Sequence, residues 1–249
     1  MTETTTILEI SGKDLVTYLS NSLDYVNTKS NTIFNSIYIS AAYIAASDGS
    51  KMVLTKLGPA DSTSNNYVLL DSKDIAVLTT ALKALNKIKK GGFKVVIEKV
   101  DNTVTLKVLN CFKEVKLTYT AEALDIKEIK LIYNAEAIDI KAPNYLQCLI
   151  EDKKVLGIFK KSSLLKLLGS FKDKNATVTL NRNDAVDFDE STKEVSFYVK
   201  DLLTLVKTSN QEGILLYTDK EGERVLKSPV FIEQDNITAL VMPVIKNNN

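Results

Sequence analysis

The side chains that most often perform catalysis are scarce in this sequence. Histidine is absent from all 249 residues, which removes the commonest general base, a frequent zinc ligand and the side chain that titrates near neutral pH. The two cysteines, Cys111 and Cys148, lie far apart in the chain, a spacing typical of neither a metal-ligand pair nor a disulfide framework. No histidine can activate Cys148 as a nucleophile. This composition predicts a protein that is not an enzyme.

One run of carboxylates could bind a divalent cation. It contains Asp184, Asp187, Asp189 and Glu190 within NDAVDFDES. The run lacks the glycine and the terminal glutamate of a calcium loop, and the chain has no P-loop, GxGxxG or nucleophile elbow. We therefore interpret the run as an acidic surface hairpin, and we predict no catalytic residue, no metal and no cofactor.

Length and composition indicate a folded protein of two domains. Apolar residues make up 45% of the chain and charged residues 25%, the ordinary proportions of a globular protein. A length of 249 residues favours two domains over one large domain. A change of pattern between residues 121 and 143 predicts the joint, and we assign residues 1–128 and 129–249 to the two domains. The N-terminus lacks a secretory signal pattern and no apolar stretch is long enough to span a membrane, which predicts a cytoplasmic protein.

Four amphipathic helices, each followed by strands, predict an α+β fold. Ser11 stands at an N-cap position with Asp14 three residues later, so the first helix is expected to begin near Gly12. A hairpin is predicted around the turn Asp48-Gly49, between strands at residues 33–47 and 52–57. The other three helices are predicted at residues 72–90, 160–172 and 199–208.

Positive charge is concentrated on these helices, although the net charge of the chain is only +1. Residues 72–90 contain five lysines and one aspartate, and residues 160–172 contain four lysines and no acid. Amphipathic helices often have lysines on their solvent-exposed face for solubility alone, and that alternative stays open. Lysines without interleaved aromatic residues favour loose contact with phosphates over base recognition. The charge pattern therefore predicts binding to double-stranded DNA without sequence preference.

Two short motifs resemble a known family. The run YIAASDGSKM at residues 43–52 resembles V-A-T-D-G-H-R-L of the bacterial DNA sliding clamps. The run ALVMPVI at residues 239–245 resembles the V-V-M-P-M ending of the last strand of those proteins. Both motifs occur in the family's order, with a helix before the second one, and the resemblance covers most of the chain.

The resemblance implies a fold, an assembly and a function. It implies the DNA clamp fold, in which each domain has two helices on the inner face and antiparallel sheets outside. The two motifs belong to the second and third domains of the bacterial DNA polymerase III beta clamp. Because six domains close the ring in this family, a two-domain chain is expected to form a homotrimer around duplex DNA. The expected partners are a DNA polymerase and a clamp loader, and the shortened pattern favours a phage protein acting in the host cytoplasm.

The resemblance also implies site residues. Two positions depart from the family's pattern, since Ser50 stands where the family has histidine and Lys51 where it has arginine. The implied pocket for partner peptides consists of Ser47, Gly49, Lys51, Met52, Val241, Met242, Pro243 and Val244. Together with the charge pattern, the family arrangement directs these lysines towards DNA: Lys13, Lys83, Lys87, Lys90, Lys160, Lys161, Lys166, Lys200 and Lys207.

Two other functions are compatible with the same sequence. A monomeric two-domain processivity factor would bind one side of the duplex through the same lysines, but its affinity would have to come from phosphate neutralisation and so from a larger positive charge than +1. A virion or other interaction protein would leave both motifs and the lysine-rich helices unexplained. The sequence therefore favours the ring.

Overall fold

The chain divides into two compact units in the computed structural model. The model describes residues 4–29, 33–58, 66–89, 92–101, 103–110, 117–119, 122–124, 132–136, 153–188, 194–219 and 229–244. The first unit comprises Met1–Ala46 and Lys56–Ala142, and the second comprises Ser47–Thr55 and Pro143–Asn249. The predicted joint between residues 128 and 129 lies outside the described residues. The second unit thus takes one short segment from the N-terminal half of the chain.

The first unit has a helix pair and antiparallel strands, including the separate pair β8 and β9. One sheet has the strand order β1-β6-β7-β10, and in another β2 pairs with β3 on one side and with β5 on the other. The elements of this half of the chain are β1 (Thr5–Ser11), α1 (Gly12–Leu23), β2 (Ser36–Ser40), β3 (Tyr43–Ser47), β4 (Lys51–Lys56), β5 (Tyr67–Asp71), α2 (Ser72–Lys89), β6 (Phe93–Val100), β7 (Thr103–Asn110), β8 (Leu117–Tyr119), β9 (Glu122–Leu124) and β10 (Ile132–Glu136).

Local sequence determines where α1 begins, as predicted. The Asp14 amide donates to Ser11 Oγ at 3.1 Å, so the N-cap side chain satisfies one of the free amides of the first turn. Leu15 and Leu19 of α1 are fully buried, and α1 packs against α2. In α2, Ile75, Leu78 and Leu82 are buried at helical spacing. The two helices therefore cover the core with one face and leave the other to solvent.

The second unit repeats this architecture. Its larger sheet has the strand order β13-β11-β15-β16-β17-β4, a further pair is formed by β12 and β14, and α3 packs against α4. Leu164 and Leu168 of α3 and Leu202 and Leu205 of α4 are buried. The elements are β11 (Lys153–Lys160), α3 (Lys161–Ser170), β12 (Thr177–Leu180), β13 (Asp187–Phe188), β14 (Val195–Tyr198), α4 (Val199–Thr208), β15 (Gly213–Asp219), β16 (Val230–Gln234) and β17 (Ile237–Val241).

Two strand predictions need correction. Residues 33–47 do not form one strand, because Ser40 and Tyr43 exchange side-chain and backbone hydrogen bonds of 3.1 Å that turn the chain between β2 and β3. Strand β11 was not predicted from the sequence at all, although it pairs with β15 along its whole length. Its alternation is broken by a register shift between Val155 and Gly157, which obscures the two-residue period of a strand. Among the described residues, no helix is long and apolar enough to cross a membrane.

Gly12 is the position where the packing of α1 leaves least room. A Cβ atom there would lie 2.0 Å from Cε2 of Phe93, a ring that is itself buried. We expect Gly12→Ala to lower the free energy of unfolding by about 1–3 kcal/mol, because the ring must move within a packed core. Urea unfolding checks this. Gly169→Ala in α3 is the control, since nothing lies within 4 Å of a Cβ there, and it should stabilise the protein by about 0.5–1 kcal/mol. Equal effects of the two substitutions would contradict the packing argument.

Candidate functional site

The solvent face of α2 is a basic surface. Lys83 and Lys87, two of the lysines predicted to face DNA, are exposed there, while Lys90 lies outside the described residues. Lys73 is exposed on the same helix and was not predicted as a site residue, although its distance of 14 residues from Lys87 places both on one stripe of the helix. The exposed residues between these lysines are mostly small: Ala76, Val77, Thr80 and Ala84. A phosphate backbone could therefore approach this helix closely.

The two helices of the second unit also expose lysines. Lys166 on α3 and Lys160 immediately before it are exposed. Lys200 and Lys207 are exposed two turns apart on α4, and the Lys200 ammonium lies 5.7 Å from the centre of the Tyr198 ring. Each unit therefore has at least one helix whose solvent face is basic.

Lys161 is placed differently from the other predicted lysines. Its ammonium donates to the Ser209 carbonyl at 2.6 Å, which ties the start of α3 to the loop after α4. The same loop caps α3, because the Ser162 amide donates to Glu212 Oε1 at 3.0 Å. The hydrogen bonds from Ser162 hold the pKa of Glu212 below its usual value. Lys161 therefore has a structural contact within the second unit.

Helix α1 is less basic than the other three. Lys13 is exposed near its start, as a DNA-facing residue requires. Asp14 and Asp24 are exposed as well, one in the first turn and the other at the C-cap. Lys13 is thus the one cation of a helix whose exposed face is acidic at both ends, and its contribution to a phosphate-binding surface is correspondingly small.

Strand pairing brings the two sequence motifs together. Strand β4, from the first motif, pairs antiparallel with β17, from the second, and the register places Met52 opposite Leu240 and Lys51 opposite Val241. Beyond the end of β17, the Met242 amide donates to the Ser50 carbonyl at 2.8 Å. Residues nearly 200 positions apart are therefore neighbours in the second unit.

The turn before β4 is held by its own side chains. Asp48 Oδ1 accepts hydrogen bonds of 2.9 Å from the Ser50 amide, the Ser50 hydroxyl and the Lys51 amide. Ser47 Oγ donates to the Lys51 carbonyl at 2.9 Å and accepts from the Gly49 amide at 3.1 Å. Gly49 has a φ of 92°, a conformation that favours glycine. The turn therefore has five hydrogen bonds from its own side chains.

The predicted pocket residues differ in their exposure. Met52 and Val241 are buried, so they form the interior beneath the surface. Gly49 is exposed, Met242 is 38% exposed, and Pro243 and Val244 are half-buried. The Val244 amide donates to the Ser196 carbonyl of β14 at 2.7 Å, which fixes the chain after β17. The accessible part of this site is thus the turn together with the segment Met242–Val244.

A buried carboxylate lies beside the turn and was not predicted from the sequence. Asp201, in the first turn of α4, is 2% exposed. Its Oδ2 accepts from the Ser50 hydroxyl at 3.4 Å, and its Oδ1 lies 3.9 Å from the Lys51 ammonium. That ammonium also lies 3.5 Å from Asp48 Oδ2. We call Asp48, Ser50, Lys51 and Asp201 the Asp201 clasp. An acid in the first turn of a helix is common, so no sequence pattern indicates this contact.

Asp184, which belongs to the acidic run, also lines a cavity beside α3. Asp184 Oδ2 accepts from the Asn181 amide at 3.1 Å in a capping box, while Asp189 and Glu190 lie outside the described residues. Among the described residues no three metal-ligating side chains form a cluster. A cavity of about 360 Å³ lies beside α3 and is lined by Lys160, Ser163, Leu164, Leu167, Asn183, Asp184, Ala185 and Val186.

The architecture is that of the bacterial sliding clamps. The DNA polymerase sliding clamp of Pseudomonas aeruginosa aligns with a TM-score of 0.68 and 14% identity over 96% of this chain and 66% of that chain. The Bacillus subtilis clamp aligns with a TM-score of 0.70 and 15% identity over 99% and 66%. The DNA polymerase III subunit beta of Borrelia burgdorferi gives 0.71 and 13% over 98% and 64%. The predicted α+β clamp fold is thus confirmed.

The similarity extends over only part of those proteins and is confined to structure. The chain spans about two thirds of the length of the clamps that it matches. No protein-family model matches the sequence, and no curated protein matches it. At identities of 13–15% the comparisons establish the fold.

Proposed function

We propose that this chain is a subunit of a DNA sliding clamp, a processivity factor that encircles duplex DNA and tethers replication proteins. The observation that carries the proposal is the exposure of lysines on α2, α3 and α4 of a clamp fold. In the proposed ring these helices line the hole and the sheets lie outside. The protein then needs no catalytic group, because its contribution to replication is to keep a polymerase on its template.

The chemistry of the helix lysines suits sliding. Among 32 basic residues only Arg182 and Arg224 are arginine, so the DNA-facing groups are flexible ammoniums rather than planar guanidiniums that bind phosphate by two hydrogen bonds. Ammonium groups on long stems contact any phosphate and read no base. The ring holds the duplex by its topology, so weak contacts are sufficient and a net charge of +1 is compatible with the function.

The accessible surface near Met242 is the proposed pocket for partner peptides. Met242 is a flexible, polarisable side chain at the surface, and such residues adapt to different apolar anchors. Pro243 and the turn at Gly49 give the pocket a fixed backbone on two sides. We assign the polymerase and the clamp loader to this pocket as partners, each through a short peptide.

We propose that three copies form the ring. The chain has two clamp-like units and spans about two thirds of clamps that it matches. Among the described strands, β10 ends the four-stranded sheet of the first unit and β12 pairs only with β14 in the second. Exposed strand edges invite pairing with another chain. Pairing of such edges between neighbouring copies would continue the sheets and close the ring.

Neutralising helix lysines should weaken DNA binding and make the affinity less dependent on salt concentration. We expect Lys83→Gln with Lys87→Gln to lower the slope of log affinity against log salt concentration by about 2, because each phosphate contact releases about 0.9 counterion. Fluorescence anisotropy with a labelled duplex measures the slope, and primer extension on a circular template measures processivity. The control is Lys29→Gln with Lys99→Gln, two lysines outside the helices. If both pairs changed the slope equally, α2 would not be the DNA-facing element.

Truncating the accessible pocket residues should abolish tethering and leave DNA contact intact. We expect Met242→Ala with Pro243→Ala to weaken binding of a fluorescein-labelled peptide, taken from the C-terminus of the replicative polymerase of the same genome, at least about tenfold. The salt slope with duplex DNA should not change. Leu215→Ala is the matched control, since Leu215 is 36% exposed and Met242 38%. Unchanged peptide affinity in the double variant would remove Met242 and Pro243 from the pocket.

A further inference from the structure

We propose that Asp201 is a positioning residue of the partner pocket, and that its charge keeps the turn at Gly49 and the segment Met242–Val244 in their binding geometry. This inference rests on the proposed function, because it specifies how the same pocket is held and regulated. Asp201 itself is buried, so a partner could not reach its side chain. Asp201 acts through its contacts with Ser50 and Lys51, which position the accessible turn at Gly49 and the segment Met242–Val244.

The Asp201 clasp joins a helix to a turn by charge. The Lys51 ammonium lies between two carboxylates, 3.5 Å from Asp48 Oδ2 and 3.9 Å from Asp201 Oδ1. The Lys51 side chain is 11% exposed and that of Asp48 16%. The single proton of the Ser50 hydroxyl is shared between the same two acids, with Oγ at 2.9 Å from Asp48 Oδ1 and 3.4 Å from Asp201 Oδ2. One cation and one hydroxyl thus hold both acids together with little access for water.

The segment that contains Met242 depends on the same elements. The Met242 amide donates a hydrogen bond of 2.8 Å to the carbonyl of Ser50, the residue whose hydroxyl contacts Asp201. The Val244 amide donates a hydrogen bond of 2.7 Å to the carbonyl of Ser196, which lies in the strand that leads directly into α4. Both hydrogen bonds that hold Met242–Val244 therefore connect this segment to the start of α4. If Ser50 separated from Asp201, the hydrogen bond of Met242 would lose its support and that of Val244 would remain.

Stability alone does not explain an aspartate at this position. Burial of a carboxylate is unfavourable, and a neutral side chain of the same shape would avoid that cost. Asp201 Oδ1 has no hydrogen-bond donor among the described residues, so the Lys51 ammonium at 3.9 Å is its principal compensation. A buried ion pair of this kind fixes one geometry rather than adding much stability. The clasp therefore selects the position of the turn.

The charge of Asp201 should respond to mild acid. Burial raises its pKa above 3.8, Lys51 lowers it, Asp48 raises it, and Lys200 and the Ser50 hydroxyl lower it. Strand β17, which packs against α4, has the neutral sequence ITALV and adds no charge. With a raised pKa, protonation of Asp201 favours the folded state as the pH falls, so acid relieves the burial cost while it removes the attraction for Lys51. The clasp should therefore loosen before the protein unfolds.

Hydrogen exchange at the Met242 amide tests the clasp directly. In Asp201→Asn we expect the protection of this amide to fall about tenfold at neutral pH, relative to the amides of Ile232 and Ala239 in the neighbouring strands. As the pH falls through the raised pKa of Asp201, which lies above the ordinary range of an aspartate, the wild type should lose the same protection, corrected for the intrinsic exchange rate. The variant should show no such pH dependence. Asp173→Asn, at an exposed aspartate of the same unit, should behave as the wild type.

Three results would overturn the inference. They are unchanged Met242 protection in Asp201→Asn, a wild-type protection that does not depend on pH, and an equal loss of protection throughout β16 and β17, which would make Asp201 a general structural residue. If the asparagine variant fails to fold, Ser50→Ala removes the hydroxyl link and should cause the same local loss.

Peptide binding separates this inference from the proposed function. The polymerase C-terminal peptide should bind about tenfold more weakly to Asp201→Asn than to the wild type, with the same pH dependence as the Met242 amide. If the exchange results are as expected but the wild type binds no such peptide, the proposed pocket is wrong. Asp201 would then hold the turn in place but have no role in peptide binding. If the wild type binds the peptide and the substitution changes neither affinity nor exchange, the inference alone is overturned.

Discussion

The pairing of β4 with β17 is the contact on which the rest of the site depends. It places Met52 opposite Leu240 and Lys51 opposite Val241, and thereby aligns two segments that are nearly 200 residues apart in sequence. A shift of the register by one residue would turn every side chain of β4 to the opposite face of the sheet. Lys51 would then leave Asp201, and Met242 would lose its hydrogen bond to Ser50. The geometry of the proposed pocket is therefore a consequence of strand register.

The charged side chains fall into two groups, exposed lysines on the helices and largely buried charges in the clasp. Because the helix lysines are exposed, salt screens their charges, and each contact with phosphate in the proposed ring would be weak. The charges of the clasp are largely buried, so their attraction is screened much less and holds one geometry. A surface that slides along DNA needs the first kind of charge, and a pocket that recognises a peptide needs the second. Both kinds occur in one chain of net charge +1.

Elements determined by nearby residues could be predicted from the sequence, and long-range contacts could not. The start of α1 follows from Ser11 and Asp14, and the predicted bounds of α4 agree with the structure because its apolar residues repeat at helical spacing. Strand β11 has a bulge that hides its period, and the break between β2 and β3 depends on a single serine side chain.

The residues of the candidate site also divide into those that sequence motifs predicted and those that only the fold reveals. The positions of Met242 and Gly49 were accessible through the resemblance of two motifs. The burial of Asp201 depends on a turn 151 residues away along the chain, and no local pattern encodes that distance. Lys161 resembles its neighbours in sequence, yet its ammonium binds the Ser209 carbonyl because the loop after α4 happens to lie beside it. Sequence pattern predicts which side chains are polar, and the fold decides which of them face solvent.

Closure into a ring is the central claim, and the mass of the protein in solution tests it most directly. Multi-angle light scattering across a range of protein concentrations, in moderate salt and without DNA, measures that mass without a polymerase or a loader. A closed ring of three copies predicts a species of three times 27.6 kDa. A monomer at every concentration would contradict the ring and favour a factor that binds one side of the duplex.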